Sequence, residues 1–230
     1  MAGTSCLLCG ERKMRRKIVL KVLSVLSIVL FVLAWHLCTA VWHLVPPTSL
    51  PSPTRVAETF VLKLSEKAPD GATLGQPIVA SLQVSLVGFL LGCIIGIPLG
   101  IMMAWYRRFD LMAKPVFDFV RTIPSIAWIP IMIILLGIGI LAKASIVFLS
   151  AFIPCVISSY TGIKATKTVH IWVAQTFGGS RLQTLFKVAI PTALPYIFTG
   201  MKVSLNAAWT SLLAAEMLGS SRGLGFMIQM

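Results

Sequence analysis

Acidic side chains are scarce: seven Asp and Glu stand in 230 residues against 20 Lys and Arg. Paired-carboxylate chemistry therefore has little to work with. No G-x-x-x-x-G-K-[ST] loop occurs, which excludes ATP hydrolysis through that phosphate cradle. No H-E-x-x-H or G-x-S-x-G motif supports intramembrane or soluble catalysis. Only Cys6 and Cys9 form a C-x-x-C pair, with no second pair and no nearby histidine to complete a zinc set. Cys38, Cys93 and Cys155 sit inside apolar runs, so no disulfide framework is implied. The expectation is a chain that is not an enzyme by itself and binds no metal or cofactor.

What is abundant is hydrocarbon. Hydrophobic residues make up 57% and charged residues 12% of the chain, and the mean hydropathy is +0.90. A soluble domain of this length would not carry so little charge. The net charge of +13 could point to nucleic acid, but the basic residues are scattered between long apolar runs. Basic flanks of membrane helices account for that pattern better, so the class is a polytopic all-α membrane protein in a lipid bilayer, without a nucleic-acid partner.

In chain order, residues 1–17 form a basic tail and residues 18–45 an apolar run too long for a signal-peptide core. His36 and His43 in its outer half suit packing or interfacial positions better than ligation. Residues 46–77 form the long polar connection, with a helical pattern from Arg55 to Ser65. Residues 78–230 follow as the core. Its first span, 78–106, carries Gly88, Gly92, Gly96 and Gly100 every fourth position, a stripe that lets another helix approach closely. Further spans are expected at about 115–136, kinked at Pro124 and Pro130, at 144–163 and at 191–217. That makes five. Short-loop basic residues cluster at the N-terminus, at 107–114 and at 164–187, so the positive-inside rule predicts those parts cytoplasmic and 46–77 external, in the cell membrane.

Between the last two spans lies an amphipathic stretch, 168–189. Ser180 followed by Gln183 is a capping-box pattern. Gly178 and Gly179 break the preceding turn, and Leu182, Leu185, Phe186 and Ala189 fall at helical spacing on one face. Gly178, nine residues, then Val188-Ala-Ile-Pro191 resembles the cytoplasmic Glu-Ala-Ala loop of the membrane subunits of ABC importers. Trp172, Val173 and Ala174 occupy the Glu-Ala-Ala positions, so the acidic residue and one alanine are missing. Arg121-Thr-Ile-Pro-Ser125, Ala193-Leu-Pro-Tyr-Ile-Phe-Thr-Gly200 and Ala207-Ala-Trp-Thr-Ser-Leu-Leu-Ala-Ala-Glu-Met-Leu-Gly219 resemble the nitrate/sulfonate/taurine branch of those permeases.

The resemblance implies a methionine-importer-like permease fold, with a sixth span expected after Met230, so that the chain reads as a fragment. It implies a homodimer, two partner ATPase subunits that bind ATP-Mg, and an extracytoplasmic substrate-binding protein. It implies ATPase coupling through Ala174, Phe177, Gly178, Ser180, Leu182, Leu185, Phe186 and Pro191, and a small, anionic cargo. Three ionisable groups inside spans are candidates for the path or its gate. Arg121 either contacts cargo or pairs with Asp118 at i,i+3. Lys202 either contacts cargo or snorkels to the interface. Glu216 is expected to meet Arg222 or Lys143 near the outer mouth. An ion-coupled secondary transporter or channel, or a membrane anchor without transport, are the alternatives.

Overall fold

A computed structural model of the chain describes residues 3–42, 46, 50–65, 73–219 and 223–229, with side chains from residue 19 onward except 65 and 229. Regular structure among the described residues is entirely helical. Residues 1–67 and 68–230 pack as two separate units.

In the first unit, α1 runs unbroken over Gly3–His36 and continues through a π-helical turn, Leu37–Val41. The basic segment expected as a tail is thus the first part of the same helix from Gly3 on. Its apolar part, Val19–Val41, is long enough to cross a bilayer. The Cys6 and Cys9 side chains, and His43, lie outside the described residues. Helix α2, Pro53–Ser65, matches the pattern read at Arg55–Ser65. Proline at its first position needs no hydrogen-bond donor there.

The second unit begins with α3, Gly75–Trp105, then α4, Arg107–Thr122. The predicted third span, 115–136, is not one helix. Ile123 and Pro124 are extended because proline pushes the preceding residue out of the helical region. A short 3₁₀ turn leads into α5, Trp128–Leu136. The two pieces meet at 79°, and only jointly are they long and apolar enough to count as a span. Pro130 causes no second break, since it falls in the first turn of α5. Helix α6 is Ile140–Lys164, α7 is Thr168–Thr176 and α8 is Arg181–Thr184. A π-helical stretch, Leu185–Ala189, joins α8 to α9, Ile190–Gly219. A short α10, Leu224–Gln229, follows. Among the described residues four stretches can span a membrane, or five with the bent pair.

The centre of this unit is α6, gripped by α3 on one side and α9 on the other. The glycine stripe makes the first grip. A Cβ on Gly88 would lie 2.6 Å from Val147 Cγ1, one on Gly92 2.7 Å from Ala151 Cβ, and one on Gly100 2.5 Å from the Val156 carbonyl oxygen. Those gaps close only for glycine, so the stripe is packing. On the other side a Cβ on Gly162 would lie 2.8 Å from Tyr196 Cβ. Val84, Val147, Ala151, Ala208 and Leu212 fill the space where the three helices meet. Helix α5 closes one end through Ile129, which packs with Ile146 and Ala215. Helix α4 lies on the other end through Phe117, beside Met103 and Val156.

Candidate functional site

The α7–α8 corner is built as its residues demand. Helix α7 ends in a Schellman arrangement: Gly178 N donates to Gln175 O at 2.9 Å and Gly179 N to Ala174 O at 3.0 Å. Gly178 takes φ of 80°, which costs a glycine nothing. Gly179 is needed for closeness instead, since a Cβ there would meet the Ala174 carbonyl oxygen at 2.7 Å. Helix α8 then starts on a complete capping box. Gln183 N donates to Ser180 Oγ at 3.3 Å, and Ser180 N donates to Gln183 Oε1 at 3.0 Å.

The single apolar face expected beyond this corner is divided. Leu185 and Ala189 are 5% and 0% exposed and pack with Ala104, Ile163, Ala193 and Ile197 of the chain's own core. Leu182 and Phe186 are 55% and 65% exposed. The π turn widens the helical stripe, so the first pair turns inward and the second outward. Leu185 is therefore an anchor of the corner and not part of a free docking surface. Phe177, the most exposed large apolar side chain of the corner, joins Leu182 and Phe186 outside. Trp172 and Val173 are exposed beside them on α7. Ala174 is half-buried and Pro191 exposed at the head of α9.

A second feature lies along α9. Thr199, Lys202, Asn206 and Thr210 are all exposed and spaced i, i+3, i+7, i+11, one face of a helix. Two of their hydroxyls are returned to the helix itself: Thr199 Oγ donates to Pro195 O at 2.8 Å and Thr210 Oγ to Asn206 O at 2.9 Å. Of these four only Lys202 stands out in the sequence, as an ionisable group inside a span. The periodicity that reveals the other three was present but was masked by the apolar residues between them.

Arg121 pairs with Asp118 at 2.7 Å, as its i,i+3 spacing allows, with both side chains partly exposed. Both border a cavity of about 240 Å³ that also touches Lys114, Tyr160 and Thr161. Glu216 has direct partners beyond those expected. It is 1% exposed, and its carboxylate accepts from Ser81 Oγ at 2.7 Å and from Gly225 N at 2.9 Å. Ser81 Oγ in turn accepts from Leu224 N at 3.0 Å. One carboxylate thus ties α3, α9 and α10 together, and Ser81, 135 residues away, was its unforeseen partner. Lys143 stands near enough for charge attraction to Glu216, while Arg222 lies outside the described residues. A cavity of about 620 Å³ opens beside this junction, bordered by Gln83, Val87, Ile138, Lys143 and Gly219.

Comparison with known proteins gives a consistent result. Residues 96–230 match the family described as binding-protein-dependent transport system inner membrane component. The taurine transport system permease protein of Escherichia coli is 35% identical over 201 residues, covering 87% of this chain and 72% of that one. The nitrate import permease protein of Synechocystis sp. is 35% identical over 185 residues, covering 79% and 67%. In structure, a chain of the MetNI methionine ABC transporter in an inward-facing conformation is similar, with a TM-score of 0.58. It covers 66% of this chain and 77% of that one at 20% identity.

Proposed function

Because the chain belongs to the family of binding-protein-dependent transport system inner membrane components, and so is the membrane-spanning pore subunit of an ABC importer, we propose that it passes a small anion along the polar face of α9 and is driven by a separate ATPase seated on the Phe177–Phe186 patch. The observation that carries this reading is Lys202, an exposed cation in a polar stripe near the middle of a 30-residue helix. Lys202 lies about 18 Å along α9 from Ile190 at 1.5 Å per residue. An ammonium facing lipid at that depth costs about 2.5–3.5 kcal/mol on insertion scales. A water-filled path removes the cost. A second copy, its own α9 opposite, forms that path in a homodimer.

The chemistry then follows from what each group offers. Lys202 attracts the anion and compensates its lost hydration. Thr199, Asn206 and Thr210 offer neutral hydrogen bonds on either side, so the ion is held without being trapped. The relatives named for taurine and nitrate support an oxygen-rich anionic head as the shared feature of the cargo, within the sulfonate, nitrate and taurine class. Arg121, at its 240 Å³ cavity, marks the inner end. The Glu216 junction holds the outer end as a gate, next to an external binding protein that delivers cargo.

Drive enters through the corner. ATP-Mg is bound and hydrolysed in the partner ATPase, and this chain performs no catalysis. Phe177, Leu182 and Phe186 meet the ATPase; Leu185 and Ala189, packed among residues of α3, α6 and α9, carry its movement into the spans. On this reading the N-terminus and residues 164–187 are cytoplasmic.

Uptake into liposomes holding the chain, its ATPase and its binding protein tests the path. One lost charge-assisted hydrogen bond is worth about 1.5–3 kcal/mol. Lys202→Gln should thus slow anion uptake by about tenfold or more, with Arg121→Gln slower as well, and leave ATPase binding and expression unchanged. Parental uptake in both variants removes the anion path and leaves these residues as interfacial anchors.

A further inference from the structure

Two thiols face each other where α3, α6 and α9 meet. Cys93 of α3 and Cys155 of α6 stand 3.6 Å apart, sulfur to sulfur, with 6% and 1% of their surfaces exposed. Transport as described above uses neither. Their separation of 62 positions conceals the pairing in the sequence. The glycine stripe creates it: a Cβ on Gly96, one turn beyond Cys93, would lie 3.1 Å from Cys155 Cβ. A third helix supplies an acceptor. Cys155 Sγ donates to Ser204 Oγ at 3.3 Å, and the Ser204 hydroxyl donates to Met201 O at 2.9 Å.

Both sulfurs are walled in by packed helices, where charged reagents and charged products are costly. A reaction whose partners and products are all neutral escapes that penalty. We propose that Cys93 and Cys155 form a dithiol site for trivalent arsenicals of the organoarsenoxide class, one per chain. In the reaction two As–S bonds form, while the As=O bond and both S–H bonds break. The oxygen leaves with the two protons as water. Arsenic remains trivalent, so neither an oxidant nor a reductant takes part. The Ser204 hydroxyl, already accepting from Cys155, takes that proton as it passes its own to the departing oxygen.

The spacing suits a single bridging atom. Two bonds of about 2.3 Å, the length of a zinc–thiolate bond, meeting near a right angle hold their sulfurs about 3.3 Å apart. The observed separation is 3.6 Å, so a small rotation of either side chain closes the bridge. Once one sulfur has reacted, the second bond is intramolecular and carries the high effective concentration of a tethered group.

The test uses the whole chain in lipid nanodiscs with Cys6→Ser, Cys9→Ser and Cys38→Ser, because the N-terminal pair would compete as a chelator. With phenylarsine oxide as the probe, intact-mass spectrometry should show one phenylarsenic adduct per chain. That adduct should resist excess monothiol and be released by 1,2-ethanedithiol. Adding Cys93→Ala or Cys155→Ala should reduce retention after a monothiol wash by about a hundredfold. Should an alanine variant fail to fold, alkylation after denaturation gives a second reading on the triple variant: the probe must protect Cys93 and Cys155 together. No adduct on the triple variant, equal retention by either alanine variant, or protection of one cysteine alone overturns the proposal.

Discussion

Removing Phe177 and Phe186 together separates the docking surface from the anchor that holds it. Both side chains are largely exposed in the chain alone, at 88% and 65%. Their loss should leave the permease fold intact. Burying one large apolar side chain is worth about 1.5–3 kcal/mol. Two buried against an ATPase therefore contribute about 3–6 kcal/mol at most, an upper bound because ordering and imperfect fit subtract from area. At about 1.4 kcal/mol per tenfold, that range is a loss of two to four powers of ten in affinity. The assay is titration of the purified ATPase onto nanodisc-held Phe177→Ala/Phe186→Ala, alongside its melting curve. Affinity should fall by about tenfold or more, up to about two to four powers of ten, with an unchanged melting temperature. Leu185→Ala should do the reverse. It opens a cavity among Ala104, Ile163, Ala193 and Ile197, costing about 2–5 kcal/mol of permease stability. ATPase binding within about threefold of the parent in the double variant, less than even one buried aromatic ring would contribute, would refute the docking surface.

Gly92→Val puts a branched side chain where even a Cβ would lie 2.7 Å from Ala151 Cβ; overpacking of about 1–3 kcal/mol or more should appear as a lower melting temperature and reduced yield. Glu216→Gln replaces a carboxylate that accepts from both Ser81 and Gly225 with an amide that can accept on one side only. Losing a hydrogen bond worth about 1.5–3 kcal/mol should raise hydrogen exchange at residues 223–229 and alter uptake; protection equal to the parent would show that the carboxylate does not hold α10. For orientation, cysteines placed at Glu58 and Gln183 in a background lacking the native thiols should react differently with an impermeant maleimide in intact cells. Glu58→Cys should label and Gln183→Cys should not, and the opposite result reverses the topology.

The broad class was legible in the residues because hydrocarbon content and basic flanks are properties that no tertiary contact can alter. The capping box at Ser180 and the break at Gly178 were legible for a related reason. Each is satisfied by backbone groups within a few residues, so local chemistry decides it. The stripe from Gly88 to Gly100 announced that a helix must come close. Only packing decided that the helix is α6 and that Val147, Ala151 and Val156 are what it meets.

What sequence could not settle depended on rotation and on distance along the chain. Leu182, Leu185, Phe186 and Ala189 read as one apolar face under a 3.6-residue period. The π-helical stretch at 185–189 gives two of them to the core and leaves two outside. The α4–α5 segment has the length and composition of a span, yet whether Pro124 kinks or breaks it depends on where Phe117 and Ile129 find their partners, and they find them at different ends of α6. Glu216 with Ser81, and Cys93 with Cys155, are pairs separated by 135 and 62 residues. Their partners are chosen by the order in which α3, α6 and α9 stack, a long-range packing outcome that no local pattern encodes.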